Sequence, residues 1–406
     1  MAHQFSSVQT AVDAIARGEV VIVVDDEGRE NEGDFICAAE KATPENVNLI
    51  MQGRGDFCMP ILPDVCERLD VNPLVDINTA PLGTAFMTPL DHRLNRTGIT
   101  AEERSRTVLT IVDPKSHPED FVRPGHVHLL LAKEGGVLRR AGHTEAAVDL
   151  ARMAGLTPAG VLCEILDESG NRATRDQLLE MAKEKNLAII TIEELIAYRR
   201  LTEKMVSRSV ETKLPTHFGE WKVIVYDVKY ETQQPVVLVR GSLAESPQAP
   251  LVRMHSSCFT GDLLGSLRCD CGDQLQMALQ MIGQEAFGVI VYLPQEGRGI
   301  GLVEKLKAYA LQDEGLDTVE ANQALGFKVD MRDYGIGIQV LKDLGLKEIR
   351  LLTNNPKKTE AFNLRGFDLT VVDQVPIIPV VNEHNAAYLT TKRTKMGHIL
   401  PDQQQD

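Results

Sequence analysis

Between Ile192 and Ser209 the chain becomes densely charged, with Glu193, Glu194, Arg199, Arg200, Glu203, Lys204 and Arg208 close together. Such a stretch interrupts any continuous apolar core, and it falls near the middle of 406 residues. Each half is then of a size that one hydrophobic core can serve. The halves do not resemble each other, so the division predicts two different domains, 1–201 and 202–406, rather than a repeat. Hydrophobic residues make up 43% and charged residues 25%, a globular balance. Strand and helix patterns mix in both halves, and the expected class is α+β, each domain a mixed sheet with packed helices.

Charge narrows the partners. The net charge is −15 and the pI about 5.2, which argues against holding a nucleic-acid backbone by bulk attraction. Small anionic substrates remain open if Arg and Lys cluster locally. No apolar run approaches the roughly 18 residues that cross a bilayer, and the first residues carry no secretory pattern. Seven Cys, an odd and sparse set, read as reduced thiols or metal ligands in a cytoplasmic protein. Cys37, Cys66 and Cys163 lie in apolar stretches and are expected in the core; Cys58, in GRGDFCMP, is given no role.

In the first half, a helix over Val8 to Arg17 and a strand over Val20 to Val24 lead into Asp25-Asp-Glu-Gly-Arg-Glu-Asn-Glu-Gly-Asp34. Six of these ten residues are acidic. The bland reading is a solvated turn; the alternative is a cation site whose hard oxygens suit Mg²⁺. Downstream, Arg139-Arg140-Ala-Gly-His143-Thr144-Glu145 precedes a helical pattern, with Thr144 the candidate cap. Free N–H groups and the helix dipole there would suit a phosphate that Arg140 also reaches. Val161 to Leu166 reads as a buried strand, and Thr174 opens another helix.

In the second half, Cys258 is followed eleven positions later by Cys269-Asp-Cys271. Three clustered thiols suit zinc. Three ligands with an open position would make the site catalytic, whereas completion by His255 would make it structural; three unligated thiols are the bland alternative. The loop Pro294 to Gly301 (PQEGRGIG) follows a buried strand, and its glycines would let backbone N–H groups approach an anion. It matches neither a dinucleotide fingerprint nor a Walker loop. Asp330 and Arg332 lie two apart, and Thr353-Asn-Asn-Pro-Lys-Lys358 follows.

The segments RMHSSCFTGDLLGSLRCDCGDQL, PQEGRGIGL, DMRDYGIG and LLTNNPKK, in this order, resemble GTP cyclohydrolase II over about residues 205 to 395. The resemblance implies opening of the guanine ring of GTP at C8 with loss of formate and pyrophosphate, with Mg²⁺ or Mn²⁺ accompanying the GTP. It implies Cys258, Cys269 and Cys271 as ligands of a zinc that activates water. Arg332 would take the nucleotidyl group as pyrophosphate leaves, with Asp330 as proton acceptor. A guanidinium is ordinarily protonated, so electrostatic clamping of the triphosphate is the milder role for Arg332. Arg253, Met254, His255, Ser256, Ser257, Gln274, Glu296, Gly297, Arg298, Thr318, Thr353 and Lys358 would line the GTP site, and Tyr309 would lie near the base.

VDDEGRENEGDF and RPGHVHLLLAKEGGVLRRAGHTEAAVDLARMAG resemble 3,4-dihydroxy-2-butanone 4-phosphate synthase over about residues 5 to 200. The two halves together resemble the bifunctional riboflavin biosynthesis proteins. The implied reaction turns ribulose 5-phosphate into dihydroxybutanone phosphate and formate, with Mg²⁺ or Mn²⁺. By matched position Glu30 and His143 bind the metal. Arg29, Asp34, Arg140, Ala141, Gly142, His143 and Thr144 hold the sugar phosphate, and Glu164 and His126 serve catalysis. Asp34 and Glu164 are the candidate proton carriers. Family resemblance also implies a homodimer with the first site completed across subunits. The rival reading leaves one half active and makes the other a scaffold or a zinc-stabilised regulatory module.

Overall fold

The computed structural model describes residues 5–26, 28–232, 234–242, 248–327, 332, 334–362, 368–379, 381–394, 397 and 399. It divides into two compact units, Met1–Arg199 and Arg200–Asp406, each built on its own mixed sheet.

In the first unit β1 (Val21–Val24), β2 (Gly33–Ala38), β3 (Cys58–Ile61), β4 (Phe86–His92), β5 (Phe121–Leu131), β6 (Gly160–Glu164) and β7 (Ile189–Thr191) form one sheet. Their order is β4-β5-β3-β6-β2-β1-β7. The run VIVV in β1 is buried at every position because both faces of the sheet are covered. Ile22 and Val24 face one apolar cluster, with Phe35, Val108 and Leu178; Val21 and Val23 face the other, with Ile15, Ala147 and Leu150. A helix forms over Val8–Arg17, its first turn capped by the Ser7 hydroxyl and its end by Gly18 at φ 86°. Thr174 caps the helix Arg175–Glu184 through a reciprocal box with Gln177.

Three local expectations change. The helix His143–Met153 is capped by Gly142, with no side-chain cap, and Thr144 is buried inside its first turn. Cys66 is only half-buried at the edge of the core, whereas Cys37, Cys58 and Cys163 are fully within it. Arg199, one of the charges of the dividing segment, is 2% exposed. Its Nη1 donates to Asp149 Oδ2 and to the Gly135 carbonyl, each at 2.7 Å, so a residue that reads as solvated linker is a core ion pair.

In the second unit β8 (Val206–Thr216), β9 (Gly219–Val228), β10 (Val236–Gly241), β11 (Leu251–Ser256), β12 (Phe287–Leu293), β13 (Glu348–Leu352) and β14 (Thr370–Val375) take the order β14-β13-β11-β12-β10-β9-β8. β11 runs parallel to β12 and to β13, while β12, β10, β9 and β8 pair antiparallel in succession. β8 starts four residues before the strand pattern legible at Val210, because it is an edge strand with almost all side chains exposed and so lacks alternation in polarity. The carboxyl ends of the parallel strands β11, β12 and β13 open on one side, the usual place for a ligand in such a sheet.

Candidate active sites

In the first unit the acidic loop folds around Asp25. Its Oδ2 accepts from Arg29 Nη1 at 2.9 Å and the Glu30 N–H at 3.1 Å, and its Oδ1 accepts from the Glu32 N–H at 2.9 Å. Asp25 therefore shapes the turn, and Glu30 is turned toward His143. His143 Nε2–H donates to the Val23 carbonyl at 3.1 Å, which fixes the tautomer and leaves Nδ1 facing Asp34 Oδ1 at 3.6 Å and Glu30 Oε2 at 3.8 Å. Ligand atoms of Asp25, Glu30 and His143 lie within 4.8 Å of one another. Asp34 Oδ1 is buried with no hydrogen-bond partner. An orphaned carboxylate oxygen beside this cluster suits a hard divalent cation.

Arg29 and Arg140 converge over the start of the helix His143–Met153. A Cβ on Gly142 would sit 2.4 Å from Arg140 Nη1 and 3.0 Å from Arg29 Nη2. Arg140 is held by Glu145 Oε2 at 2.7 Å and Thr84 Oγ1 at 2.9 Å. Two guanidinium groups above a helix N-terminus with no side-chain cap form an anion cradle. Ala141 is exposed at its rim and Gly142 is buried beneath it.

Asp34 and Glu164 are register partners on β2 and β6, and Glu164 Oε2 accepts from the Asp56 N–H at 2.8 Å. His126 lies on β5, three strands across the sheet from β2 and Asp34. It is paired with Asp91, Nδ1 to Oδ2 at 2.6 Å, and its side chain is 45% exposed. Within one chain His126 does not join the other predicted residues.

The second unit carries a cleft at the carboxyl ends of β11, β12 and β13. The cleft brings together Arg253, His255, Ser256, Ser257, Gln274, Glu296, Gly297, Arg298, Thr318, Arg332, Thr353 and Lys358 with Tyr309 and the three thiols. Met254 does not line it. Strand alternation turns its side chain to the other face, against Gly337, and its contribution is the carbonyl that accepts from Lys358 Nζ at 2.7 Å. Asp330 lies outside the described residues.

Cys258, Cys269 and Cys271 form the thiol cluster, with Cys258 and Cys269 sulfurs 3.7 Å apart. Gly261 packs directly on it, since a Cβ there would meet the Cys269 sulfur at 3.0 Å and the Cys258 sulfur at 3.1 Å. His255 is not a fourth member: its Nε2 lies 3.1 Å from both carboxylate oxygens of Asp262. Three sulfurs facing a polar cleft suit a soft divalent metal with an open position. Hydrogen bonds from Cys269 and Cys271, then from Lys305, hold the Cys258 thiol well below its ordinary range. Arg298 sits at φ 62° in the turn after β12, and its Nη1 is buried with no protein partner.

A family model for 3,4-dihydroxy-2-butanone 4-phosphate synthase matches residues 9–198, and one for GTP cyclohydrolase II matches residues 207–376. The riboflavin biosynthesis protein RibBA of Bacillus mycoides (strain KBAB4) is 53% identical over 397 residues, covering 98% of this chain and 99% of that protein. That of Bacillus subtilis (strain 168) is 52% identical over the same span. This chain belongs to the RibBA family of riboflavin biosynthesis proteins. It is a bifunctional enzyme, a synthase domain followed by a cyclohydrolase domain. Among solved structures, a two-domain 3,4-dihydroxy-2-butanone 4-phosphate synthase from A. baumannii, RibBX, is similar with a TM-score of 0.68 and 32% identity, over 92% of this chain and 99% of that one.

Several cleft residues of the cyclohydrolase domain carry no local sequence signal. Lys305 reaches in from the helix Leu302–Asp313, its Nζ 3.1 Å from the Cys258 sulfur, 2.9 Å from Thr260 Oγ1 and 2.8 Å from Glu296 Oε1. Arg268, Tyr388 and Lys392 also line the cleft. Seven cationic side chains (Arg253, Arg268, Arg298, Lys305, Arg332, Lys358 and Lys392) thus face one carboxylate, Glu296, among the described residues. This is the local basic cluster that an anionic substrate needs in a chain of net charge −15.

The synthase cluster also makes a stability prediction. Burial pushes the Asp34 carboxyl up to about 8, with His143 opposing and Glu164, Glu32 and Glu30 reinforcing. Burial alone would lower His143, but Asp34 and Glu30 outweigh it and raise it to about 9. Both groups hold protons more tightly folded than unfolded, so their contribution is complete at low pH and lost as pH rises. The windows run from about 4 to about 8 for Asp34 and from about 6.5 to about 9 for His143. In magnesium-free buffer the melting temperature is expected to fall from pH 6 to pH 9, and Asp34→Asn to flatten the lower part of that fall. A wild-type profile that rises, or a variant parallel to wild type, would show that this coupling is absent.

Proposed function

We propose that the synthase domain converts ribulose 5-phosphate into 3,4-dihydroxy-2-butanone 4-phosphate and formate. We propose equally that the cyclohydrolase domain opens GTP to a diaminopyrimidine ribosyl phosphate with release of formate and pyrophosphate. The functional boundary lies at residues 201 and 202. The observation that carries the second activity is the thiol triad in a cleft lined by cations.

For the sugar, Arg29, Arg140 and the open N–H groups at His143 and Thr144 take the phosphate, with Gly142 beneath it and Ala141 at the rim. Mg²⁺ or Mn²⁺ held by Glu30 and His143 would polarise the neighbouring sugar oxygens. Asp34 and Glu164 together move protons during enolisation, loss of water and the carbon shift. The 45% exposure of the His126 side chain and its separation from Asp34 support a homodimer in which the His126–Asp91 pair serves the site of a second copy.

For GTP, zinc held by Cys258, Cys269 and Cys271 would supply water of lowered pKa at neutral pH. Arg332 and Lys358 flank the Tyr334 ring, at 5.8 and 5.4 Å from its centroid. They clamp the triphosphate together with Arg253 and Arg298, while Gln274, Glu296, Gly297, Thr318, Thr353 and Ser256 to Ser257 shape the pocket, and Asp330 accepts a proton. Clamping is preferred to nucleophilic attack by Arg332 because a guanidinium stays protonated, and a phosphorylated protein trapped by denaturing quench would reverse that preference. Free thiols at all seven cysteines support a reducing, cytoplasmic setting; no helix among the described residues is long and apolar enough to cross a membrane.

The test is formate release measured separately from ribulose 5-phosphate and from GTP, with Mg²⁺ supplied and zinc retained. Release from both is expected. Release from one alone would make the silent half a scaffold or regulatory module.

A further inference from the structure

The helix Ala386–Thr394 lies beyond residue 376, where the cyclohydrolase family match ends, yet it lends two side chains, Tyr388 and Lys392, to the cleft. Lys392 is 7% exposed, and its Nζ donates to Asp270 Oδ1 at 2.5 Å. Asp270 is completely buried between the ligand positions Cys269 and Cys271. Its other oxygen accepts from Gln274 Nε2 at 2.6 Å, and Gln274 Oε1 accepts from Arg253 Nη2 at 2.5 Å. The four side chains form one unbranched relay of alternating donors and acceptors, each 9% exposed or less.

The relay settles two orientations that would otherwise be free. A Gln amide can present either end; here the Asp270 carboxylate fixes Nε2 toward itself and leaves Oε1 for Arg253. Arg253 is then held from two sides, since its Nη1 donates to the Leu352 carbonyl at 3.0 Å. Its Nε is buried with no hydrogen-bond partner. Without a cation at Lys392, Asp270 would be a buried carboxylate whose nearest compensating donors are the Gln274 amide and, one link further, Arg253, so the relay would be pulled toward Asp270 and away from the cleft.

We propose that Lys392 is a positioning residue of the GTP site, and that the C-terminal helix sets nucleotide affinity by locking Arg253 through Asp270 and Gln274. The proposal rests on the reading of this cleft as the GTP site. A merely structural Lys392 would fasten the helix and leave the bound nucleotide unaffected.

The experiment uses the full-length, zinc-loaded protein and two variants, Lys392→Met and the double variant Lys392→Met/Asp270→Asn. The double variant removes both charges with little change of shape, so it stays foldable if the lone buried carboxylate of the single variant does not. The readouts are affinity for a non-hydrolysable GTP analogue, KM and kcat for formate release from GTP, zinc per chain, and formate release from ribulose 5-phosphate. Analogue affinity is expected to weaken and KM to rise by about 10- to 100-fold, the usual cost of removing an outer-layer partner. Changes in kcat should be smaller, and zinc content and turnover of ribulose 5-phosphate should stay at wild-type levels. A folded, zinc-loaded variant of either kind that binds the analogue as tightly as wild type overturns the proposal. Absence of formate release from GTP by the unmodified protein would instead overturn the reading of the site.

Discussion

Cys269→Ser is expected to lower GTP ring opening by about a thousandfold or more, because a catalytic metal with two thiolate ligands and a hydroxyl is weakly held and poorly placed to activate water. The cluster has no protein donor in reserve among the described residues: His255 faces Asp262 and is stacked on Tyr292 with centroids 5.5 Å apart. Lys305 and Thr260 touch Cys258 but are not substitutes for a thiolate. Zinc per chain should fall together with the activity. Formate release from ribulose 5-phosphate should be untouched, since the synthase domain has its own sheet and its own two apolar clusters. Metal analysis and the two formate assays on one preparation decide the matter; a serine variant that loses zinc yet keeps its rate with GTP would show that the thiols serve structure alone.

Glu164→Gln is the second large effect, an expected loss of about 10² to 10⁴ in turnover of ribulose 5-phosphate, the range for removing a positioned acid–base group. The change keeps the shape and the acceptor for the Asp56 N–H, now at 2.8 Å, so folding should survive. Space around this carboxylate is tight: a Cβ on Gly55 would come within 2.4 Å of Glu164 Oε2, and any bulk added nearby would displace it. The rate with GTP should not change. Full turnover in this variant would take Glu164 out of the proton relay and leave Asp34 to carry it.

How much of each site was legible depends on whether its residues are close in sequence. The acidic loop, the segment Arg140 to Thr144 and the thiol pair Cys269 and Cys271 are compact motifs, and their partners are held by short-range geometry. Asp25 organises its own loop through the Glu30 and Glu32 amides, and Gly142 opens the helix that His143 begins. The family resemblance added Glu164 and His126, which no local pattern marks. It also carried Met254 into the site with its neighbours, although a strand sends alternate residues to opposite faces and Met254 packs against Gly337.

The sequence by itself determined the two-part division, the mixed classes of element, the thiol triad and the acidic loop, because composition breaks, periodicity and close spacing are properties of neighbouring residues. Only the tertiary structure decided that Arg199 is a core ion pair with Asp149, that His126 stands apart from Asp34, and that Lys305 and Lys392 close on the thiol cleft. A lysine in a helix pattern is ordinarily a solvated charge. What makes these two different is the carboxylate and thiolate groups that other parts of the chain bring beside them, and that pairing exists only once the sheet has assembled.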